Sequence, residues 1–332
     1  MSVLYVKEQG ACVRKKDQCI VVSKGRDTLL QIPADNVDNI AVIGNVQVTS
    51  QALQMLMVRG IDVNYFAFSG KYLGHTAAET SKNVFLRLAQ YEMYHDLKRR
   101  MEMARRIVNN KIQNQINIIR GIHVQSGEYF WKEDVEKMEE YQSRLPQKQT
   151  SNEILGIEGI CSNIYFGAFG KMLRSEIEFH GRNRRPPRDP VNTIISLGYT
   201  FLTKEVSNTL DAESFEMYLG FLHGIRYGRK SLALDMVEEF RQPVVDRLTI
   251  RLFNKRIFTE FDFTAEEDRV LLNEDGFKKF CWEFERWMTD KSFSGNGVSF
   301  RSRIKEQAGR LKQAVQGNGE YIPFRWEGPT CI

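Results

Sequence analysis

The sequence predicts an α+β protein, with a small N-terminal β-sandwich domain over residues 1–78 and a larger all-α domain over residues 79–332. Residues 1–75 contain short runs rich in Val and Ile, split by Gly, Asp, Asn and Pro, as strands and turns are. From Asn83 onward the apolar residues recur at helical spacing. A length of 332 residues with a hydrophobic content of 42% is enough for packed cores in both domains.

The first domain is predicted to be strands with one helix among them. Five runs have the composition of strands: VLYV, ACVRKKDQCIVV, TLLQIP, NIAVIG and IDVNYFAF. In the second run a Lys-Lys-Asp-Gln turn precedes Cys19, which predicts a hairpin. Between the last two, QALQMLMVRG is predicted to be a helix that Thr49 or Ser50 caps and that Gly60 ends. Strands this short and numerous favour a compact sandwich of sheets.

The helical domain opens with a basic segment. Residues 97–120 hold seven basic residues and one acidic residue. Two interpretations stay open: a solvated helix face, or a face that follows the phosphates of a nucleic acid. A later helix is predicted to start at Ser151 or Asn152 and carries Glu158 among apolar neighbours. That glutamate is either exposed, or buried with a partner.

A stiff basic loop follows, because the prolines of residues 181–192, GRNRRPPRDPVN, exclude a helix. It feeds a nearly uniformly apolar helix that should be buried. A further helix is predicted to end at His223, and the last residues, 318–332, are predicted to be a loosely docked tail. Four arginines make the loop basic: Arg182, Arg184, Arg185 and Arg188.

The segment 223–242, HGIRYGRKSLALDMVEEFRQ, is expected to be the centre of the molecule. It joins a histidine and a Gly-punctuated basic turn to a short acidic helix. Ser231 is predicted to cap this helix, and Pro243 is expected to prevent its continuation.

Three carboxylates of that helix, Asp235, Glu238 and Glu239, are spaced i, i+3 and i+4, so we expect them to share one side. Because like charges at this spacing repel, a positive group is expected nearby. The candidates are Arg241, a distant basic residue or a divalent cation. From spacing alone, a histidine after a helix more often caps it or fills the core than ligates a metal.

Composition limits the cellular setting and the chemistry. The net charge of +5 is only mildly basic. Five scattered cysteines without a CxxC pair favour a reducing cytoplasm and argue against a disulfide or zinc framework. No run approaches 18 apolar residues, so no membrane span is predicted. The sequence has no Walker motif, which fits chemistry without nucleotide hydrolysis.

Three stretches together resemble one known family. They are FLHGIRYGRKSLALDMVEEFR at 221–241, LGIEG at 155–159 followed by Tyr165-Phe166, and RNRRPPRDPVNTIISLGY at 182–199. They resemble the CRISPR-associated spacer-acquisition integrase family, and the chain looks like a member from a type I system. The resemblance covers nearly the whole chain. The family order, a β domain and then a helical catalytic domain, agrees with the order predicted here.

The resemblance implies a catalytic set of Glu158, His223, Asp235 and Glu238. By resemblance, Glu158, His223 and Glu238 are ligands of Mg²⁺ or Mn²⁺, and Asp235 is the neighbouring acid. It also implies DNA contacts from the basic loop, the helix after it and the turn before the acidic helix. These candidates are Arg182, Arg184, Arg185, Asn192, Tyr199, Arg229, Lys230 and Arg241.

The implied activity is insertion of foreign DNA fragments into a CRISPR array, by transesterification from a 3′-hydroxyl. The implied partners are double-stranded DNA (the fragments and the CRISPR repeat and leader), a second copy of this chain, and the small second CRISPR-associated adaptation protein. The N-terminal domain is expected to dimerise. Two alternatives remain open: a metal-dependent nuclease of branched DNA acting in repair, and a non-catalytic DNA-binding scaffold.

Overall fold

The computed structural model describes residues 3–76, 83–126, 131–174, 177–183, 186–295 and 297–327, with the backbone alone for 122–126. The chain divides into two compact units, Met1–Thr80 and Ser81–Ile332. The first is rich in strands and the second is mostly helical. None of the helices in the described ranges is both long enough and apolar enough to span a membrane.

The N-terminal unit contains two four-stranded sheets. Its strands are β1 (Val3–Val6), β2 (Cys12–Lys16), β3 (Cys19–Lys24), β4 (Asp27–Pro33), β5 (Asn39–Ile43), β6 (Gln47–Val48), β7 (Asp62–Phe66) and β8 (Tyr72–Thr76). One sheet has the order β1-β5-β7-β8, in which only β8 runs antiparallel to its neighbour. The other has the order β4-β3-β2-β6. The predicted hairpin between Cys12 and Lys24 is confirmed as the β2–β3 pair.

One hydrophobic cluster joins both sheets and a helix, α1 (Ser50–Val58). Thr49 caps that helix by accepting a hydrogen bond from the backbone N–H of Ala52 at 3.3 Å, as predicted. Gly60 follows the helix end with φ of +67°, a conformation that suits glycine. The sandwich packing itself stays a prediction.

The C-terminal unit has nine helices in its described part: α2 (Val84–His95), α3 (Leu97–Ser126), α4 (Lys132–Ser143), α5 (Ser151–Met172), α6 (Pro190–Ala212), α7 (Ser231–Val237), α8 (Arg247–Asn254), α9 (Glu274–Thr289) and α10 (Phe300–Val315). A π-helix, Arg241–Asp246, lies between α7 and α8. The prediction of an all-α domain is wrong in one respect. Phe263–Ala265 (β9) and Val270–Leu272 (β10) pair as a small antiparallel hairpin.

The start of α5 corrects a predicted cap by one residue. Thr150, rather than Ser151 or Asn152, is the N-cap. Its side chain accepts a hydrogen bond from the backbone N–H of Glu153, and the carboxylate of Glu153 accepts one in return from the backbone N–H of Thr150. This reciprocal pair sets the first turn of the helix that carries Glu158.

The segment before α7 is not the predicted helix ending at His223. Residues 215–230 form turns and bends. Gly220 explains how tightly they fold back, because a Cβ atom there would lie 2.7 Å from the backbone carbonyl carbon of Ser231. Ser231 is the first helical residue and makes no capping hydrogen bond, so its predicted role as N-cap is also wrong.

The described part of the C-terminal tail, up to residue 327, is firmly docked rather than loose; residues 328–332 lie outside the described residues. Tyr321, Phe324 and Trp326 are buried. The amide of Asn114 on α3 donates to the carbonyl of Phe324 at 3.0 Å and accepts from the N–H of Trp326 at 3.0 Å. Asn110 donates to the same Phe324 carbonyl at 2.7 Å. These polar α3 side chains satisfy the backbone of a segment that has no secondary structure of its own.

Candidate active site

Glu158 is positioned by the packing of α5 along α3. Lys111 on α3 forms an ion pair with Glu158 Oε1. Four residues further along both helices, the amide of Gln115 donates to Ser162 Oγ at 3.2 Å. Ser162 Oγ also donates to Glu158 Oε1 at 2.9 Å. Of the two alternatives, an exposed glutamate or a buried one with a partner, the structure favours the second: Glu158 is paired, and its side chain is 20% exposed.

Glu238 reaches the same ammonium group from the far end of α7. Its Oε2 lies 2.5 Å from Lys111 Nζ, and its Oε1 lies 3.2 Å from Arg241 Nη2. Burial by itself would raise the pKa of this carboxyl, but the positive charges of Arg241 and Lys111 outweigh it and lower the pKa to about 2. Glu238 is therefore a carboxylate at every physiological pH.

Asp235 is buried and works as an anchor for the turn that holds His223. Its Oδ2 accepts the backbone N–H groups of Phe221 at 2.5 Å and Leu222 at 2.9 Å. Its Oδ1 accepts the backbone N–H of His223 and lies 2.7 Å from His223 Nδ1. Because a carboxylate only accepts, Nδ1 carries a hydrogen, and in the neutral imidazole the lone pair is then on Nε2.

The predicted clustering of the three carboxylates is wrong, because α7 ends at Val237. Beyond that residue the chain leaves the α-helical path, so Glu239 turns away from Glu238. The carboxylate of Glu239 accepts hydrogen bonds from the Tyr321 hydroxyl at 2.5 Å and from the backbone N–H of Phe324. Burial raises the pKa of Glu239 to about 8, although these hydrogen bonds oppose it. Glu239 belongs to the tail contact.

The structure thus brings together two of the three predicted metal ligands. Glu158 and Glu238 share one cationic group, whereas His223 turns its Nδ1 to Asp235. Among the described residues, no three His, Cys, Asp or Glu side chains are grouped closely enough to hold a metal ion. Two carboxylates that converge on one positive charge are nevertheless a donor pair that fits Mg²⁺ or Mn²⁺, which prefer oxygen ligands.

Comparison with known proteins identifies the family of this chain. The sequence model of the family described as CRISPR associated protein Cas1 matches residues 4–286. The chain belongs to the Cas1 family. The Thermus thermophilus protein named CRISPR-associated endonuclease Cas1 3 is 33% identical over 330 residues, which are 98% of this chain and 97% of that protein.

Solved structures of the Cas1 fold match nearly the whole chain. A Cas1 protein from Thermotoga maritima has a TM-score of 0.84 at 27% identity, covering 96% of this chain and 99% of that one. A casposase bound to an integration product has a TM-score of 0.86 at 22% identity, covering 100% and 95%. A Cas6-RT-Cas1–Cas2 complex has a TM-score of 0.82 at 22% identity, covering 98% of this chain and 36% of the matched chain. The last two likenesses show the fold alone.

Several DNA-contact candidates of this Cas1-family chain are engaged within the protein. Asn192 is fully buried; it accepts from Arg182 Nη1 at 2.7 Å and donates to the carbonyl of Gly181 at 2.9 Å. It therefore shapes the basic loop from inside. The ring of Tyr199 lies under two guanidinium carbons, those of Arg182 at 5.6 Å and Arg241 at 5.1 Å from its centroid. These cation–π contacts hold both arginines at one ring, and Arg241 is also paired with Glu238.

The remaining candidates lie in the turn before α7 and in the basic loop. Arg229 Nη2 donates to the carbonyl of Gly224 at 2.5 Å, and its Nε donates to Ser231 Oγ at 3.2 Å, so this arginine braces the turn. Lys230 is half-buried at the start of α7. Arg184 and Arg185 lie outside the described residues.

The sequence analysis missed Lys111, counting it only as part of a basic run. Lys111 is 4% exposed, so neither a solvated face nor a phosphate-following face describes it. The sequence did contain a pattern that indicates burial of this lysine. Lys111 follows Ile107 by four residues and Val108 by three, and helical spacing places all three on one face. A lysine on a buried helix face needs an acidic partner.

Asp246, at the end of the π-helix, is a further buried acid near the site. Its Oδ1 accepts the Tyr199 hydroxyl at 2.7 Å. Burial raises the pKa of Asp246 from 3.8 to about 6, while the Tyr199 hydrogen bond and the charges of Arg182 and Arg241 hold it down. An acid whose folded-state pKa is raised contributes stability that is complete below 3.8 and is lost as the pH rises through about 6.

We therefore expect Asp246→Asn to gain stability relative to the parent protein as the pH rises. The amide still accepts the Tyr199 hydroxyl but never ionises. The unfolding free energy of the variant minus that of the parent should rise by roughly 2 kcal/mol between pH 4.5 and 7.5, at about 1.4 kcal/mol per pKa unit. Urea unfolding of both proteins at the two pH values measures this, because their other titrating groups are shared. A difference independent of pH would contradict burial of this carboxylate.

Proposed function

We propose that this Cas1-family protein is a metal-dependent DNA strand-transfer enzyme that inserts DNA fragments into a CRISPR array. One observation carries the proposal. Glu158 and Glu238, from separate motifs, converge on a single positive charge beside a braced histidine turn. A relative at 33% identity carries the name endonuclease. A neighbour in fold is titled as a casposase bound to its integration product.

In this proposal Glu158, Glu238 and Nε2 of His223 would hold Mg²⁺ or Mn²⁺. A metal ion held there would supply Lewis-acid chemistry toward the phosphodiester and its leaving oxygen. Asp235 fixes the tautomer and orientation of His223 through Nδ1. It is thus proposed as a positioning residue, whereas the resemblance implied only that it is the acid next to the metal ligands. Arg241 keeps Glu238 ionised and ready to ligate.

The proposed substrate is double-stranded DNA, both the incoming fragment and the CRISPR repeat and leader. Arg182, Arg184, Arg185 and Lys230 are the proposed phosphate contacts. The other candidates are proposed to act indirectly, by holding the basic loop and the turn before α7 in place; they are Asn192, Tyr199, Arg229 and Arg241.

The proposed assembly is a homodimer that also binds the small second CRISPR-associated adaptation protein. Insertion of both fragment ends needs two active centres, which a dimer supplies. The N-terminal domain predicted over residues 1–78 is the proposed dimerising part. A neighbour in fold is titled as a complex of Cas1 with Cas2, which supports a partner of that kind. We assign the chain to a type I system on the motifs of the sequence.

Joining of a labelled fragment tests the proposal. We would incubate the protein and its partner with a labelled duplex fragment and a supercoiled plasmid that carries a CRISPR repeat and leader, in Mn²⁺. We expect the label to become covalently attached to relaxed plasmid, and a fragment with 3′-dideoxy ends to give no product. Cleavage without joining would favour the branched-DNA nuclease. Binding without either reaction, with or without Mn²⁺, would favour the scaffold.

A further inference from the structure

Lys111 occupies the space between the two carboxylates of the site. Its ammonium group contacts Glu158 Oε1 and lies 2.5 Å from Glu238 Oε2. Its side chain is only 5% exposed, so few water molecules reach it. Burial of an ammonium group is costly unless hydrogen-bonded anions surround it, and these two carboxylates supply the anions. The lysine and the carboxylate pair therefore stabilise one another.

Glu238 Oε1 pairs with Arg241, so Glu238 Oε2, which faces Lys111, is the oxygen that this residue can offer to a cation. Glu158 Oε1 accepts both from Lys111 and from the hydroxyl of Ser162. A cation bound by both glutamates at once would therefore draw on oxygens that face Lys111. Two positive groups cannot share those oxygens at bonding distance, because they repel each other strongly in a poorly hydrated site.

Arg241 does not stand in the same relation to a metal. It approaches the other oxygen of Glu238, and the ring of Tyr199 holds its guanidinium group in place. An arginine there lowers the pKa of Glu238 without lying between the two carboxylates. The competition is thus specific to Lys111.

Resting on the proposed function, we propose that Lys111 is a built-in counter-cation of Glu158 and Glu238 that a divalent metal must displace in order to bind. The lysine keeps the two carboxylates together and neutralised, and it weakens their affinity for metal. Metal binding exchanges one positive charge for two.

Lys111→Met tests the proposal, because methionine keeps the length of the side chain and removes the charge. On the full chain without DNA, we expect the Kd for Mn²⁺ to fall by about tenfold or more, measured by calorimetry. In EDTA we expect the Tm to drop by roughly 5 °C or more, because the carboxylates lose a counter-charge. Saturating Mn²⁺ should remove this difference in Tm between the variant and the parent. The Mn²⁺-induced rise in Tm is then larger in the variant than in the parent.

Two further variants keep the test decisive if methionine prevents folding. Lys111→Gln is neutral and can donate hydrogen bonds to both carboxylates, so its affinity for Mn²⁺ should also rise. Lys111→Arg retains the positive charge, so its affinity should not rise. As a matched control, Lys279→Met removes another lysine from an ion pair, 2.5 Å from Asp262 Oδ1, and should leave the Mn²⁺ affinity unchanged.

The outcomes separate this inference from the proposed function. If Glu158→Gln weakens Mn²⁺ binding in the parent but folded Lys111→Met and Lys111→Gln bind Mn²⁺ no more tightly than the parent, Lys111 is not a competitor. If neither Glu158→Gln nor Glu238→Gln changes Mn²⁺ binding, the carboxylate pair is not the metal site and the proposed function fails. Tighter binding in both neutral Lys111 variants, with the arginine variant unchanged, supports the competition.

Discussion

Replacement of Glu158 by glutamine is expected to reduce the rate of strand transfer by roughly two to four orders of magnitude, because the metal would lose a carboxylate ligand. Glutamine has nearly the same size as glutamate and can still accept the hydrogen bond that Ser162 Oγ donates to Glu158 at 2.9 Å. It lacks the negative charge that the carboxylate pair offers to a cation. The measurement is the initial rate of joining at saturating Mn²⁺, together with a thermal unfolding curve for each protein.

Glu153→Gln is the matched control, because Glu153 lies on the same helix, in its first turn. Its carboxylate accepts the capping hydrogen bonds of Gln149 and Thr150. We expect a small loss of stability and a normal rate of joining. A well-folded Glu158→Gln protein that joins DNA at a rate near that of the parent would remove Glu158 from the reaction.

Asp235→Asn is expected to destabilise the protein by roughly 2–5 kcal/mol and to abolish joining. Three backbone N–H groups and His223 Nδ1 converge on the two carboxylate oxygens of Asp235. An asparagine amide has only one oxygen, so its NH₂ group must face at least one of these donors. That donor is then buried without an acceptor. Differential scanning calorimetry should show a Tm lower by roughly 5–15 °C, given about 2–4 °C per kcal/mol for a domain of this size.

This substitution also separates an anchor from an acid that takes part in proton transfer. If Asp235 positions the histidine turn, stability and activity fall together. A variant with the stability of the parent and no activity would instead assign a proton-transfer role to Asp235. Asp275→Asn is the control, because Asp275 is a helical aspartate whose side chain is 90% exposed. The Asp275→Asn substitution should change neither the Tm nor the rate of joining measurably.

Local patterns accounted for much of this fold. The Val- and Ile-rich runs, the β2–β3 hairpin and the Thr49 cap depend on neighbours within a few residues, so a single sequence suffices to predict them. Errors occurred where distant segments override local preference. The 215–230 stretch has helical composition, but it forms turns because Asp235 accepts hydrogen bonds from backbone N–H groups within it, such as that of Phe221. The tail has no periodicity, and its backbone is satisfied by Asn110 and Asn114 on α3.

The sequence by itself was enough to recognise the family, since the motifs around Glu158, His223 and Glu238 resemble the family that the comparisons show. Only the tertiary structure decided what each of these side chains contacts. The positive partner required by the acidic helix is both Arg241, close in sequence, and the distant Lys111. Helical spacing can place Lys111 on a buried face, but it cannot say which acid lies opposite. That choice depends on how α3 packs against α5 and on the end of α7 at Val237, which turns Glu238 and Glu239 toward different partners. Both depend on the burial of apolar surface between segments far apart in the chain, which no local pattern encodes.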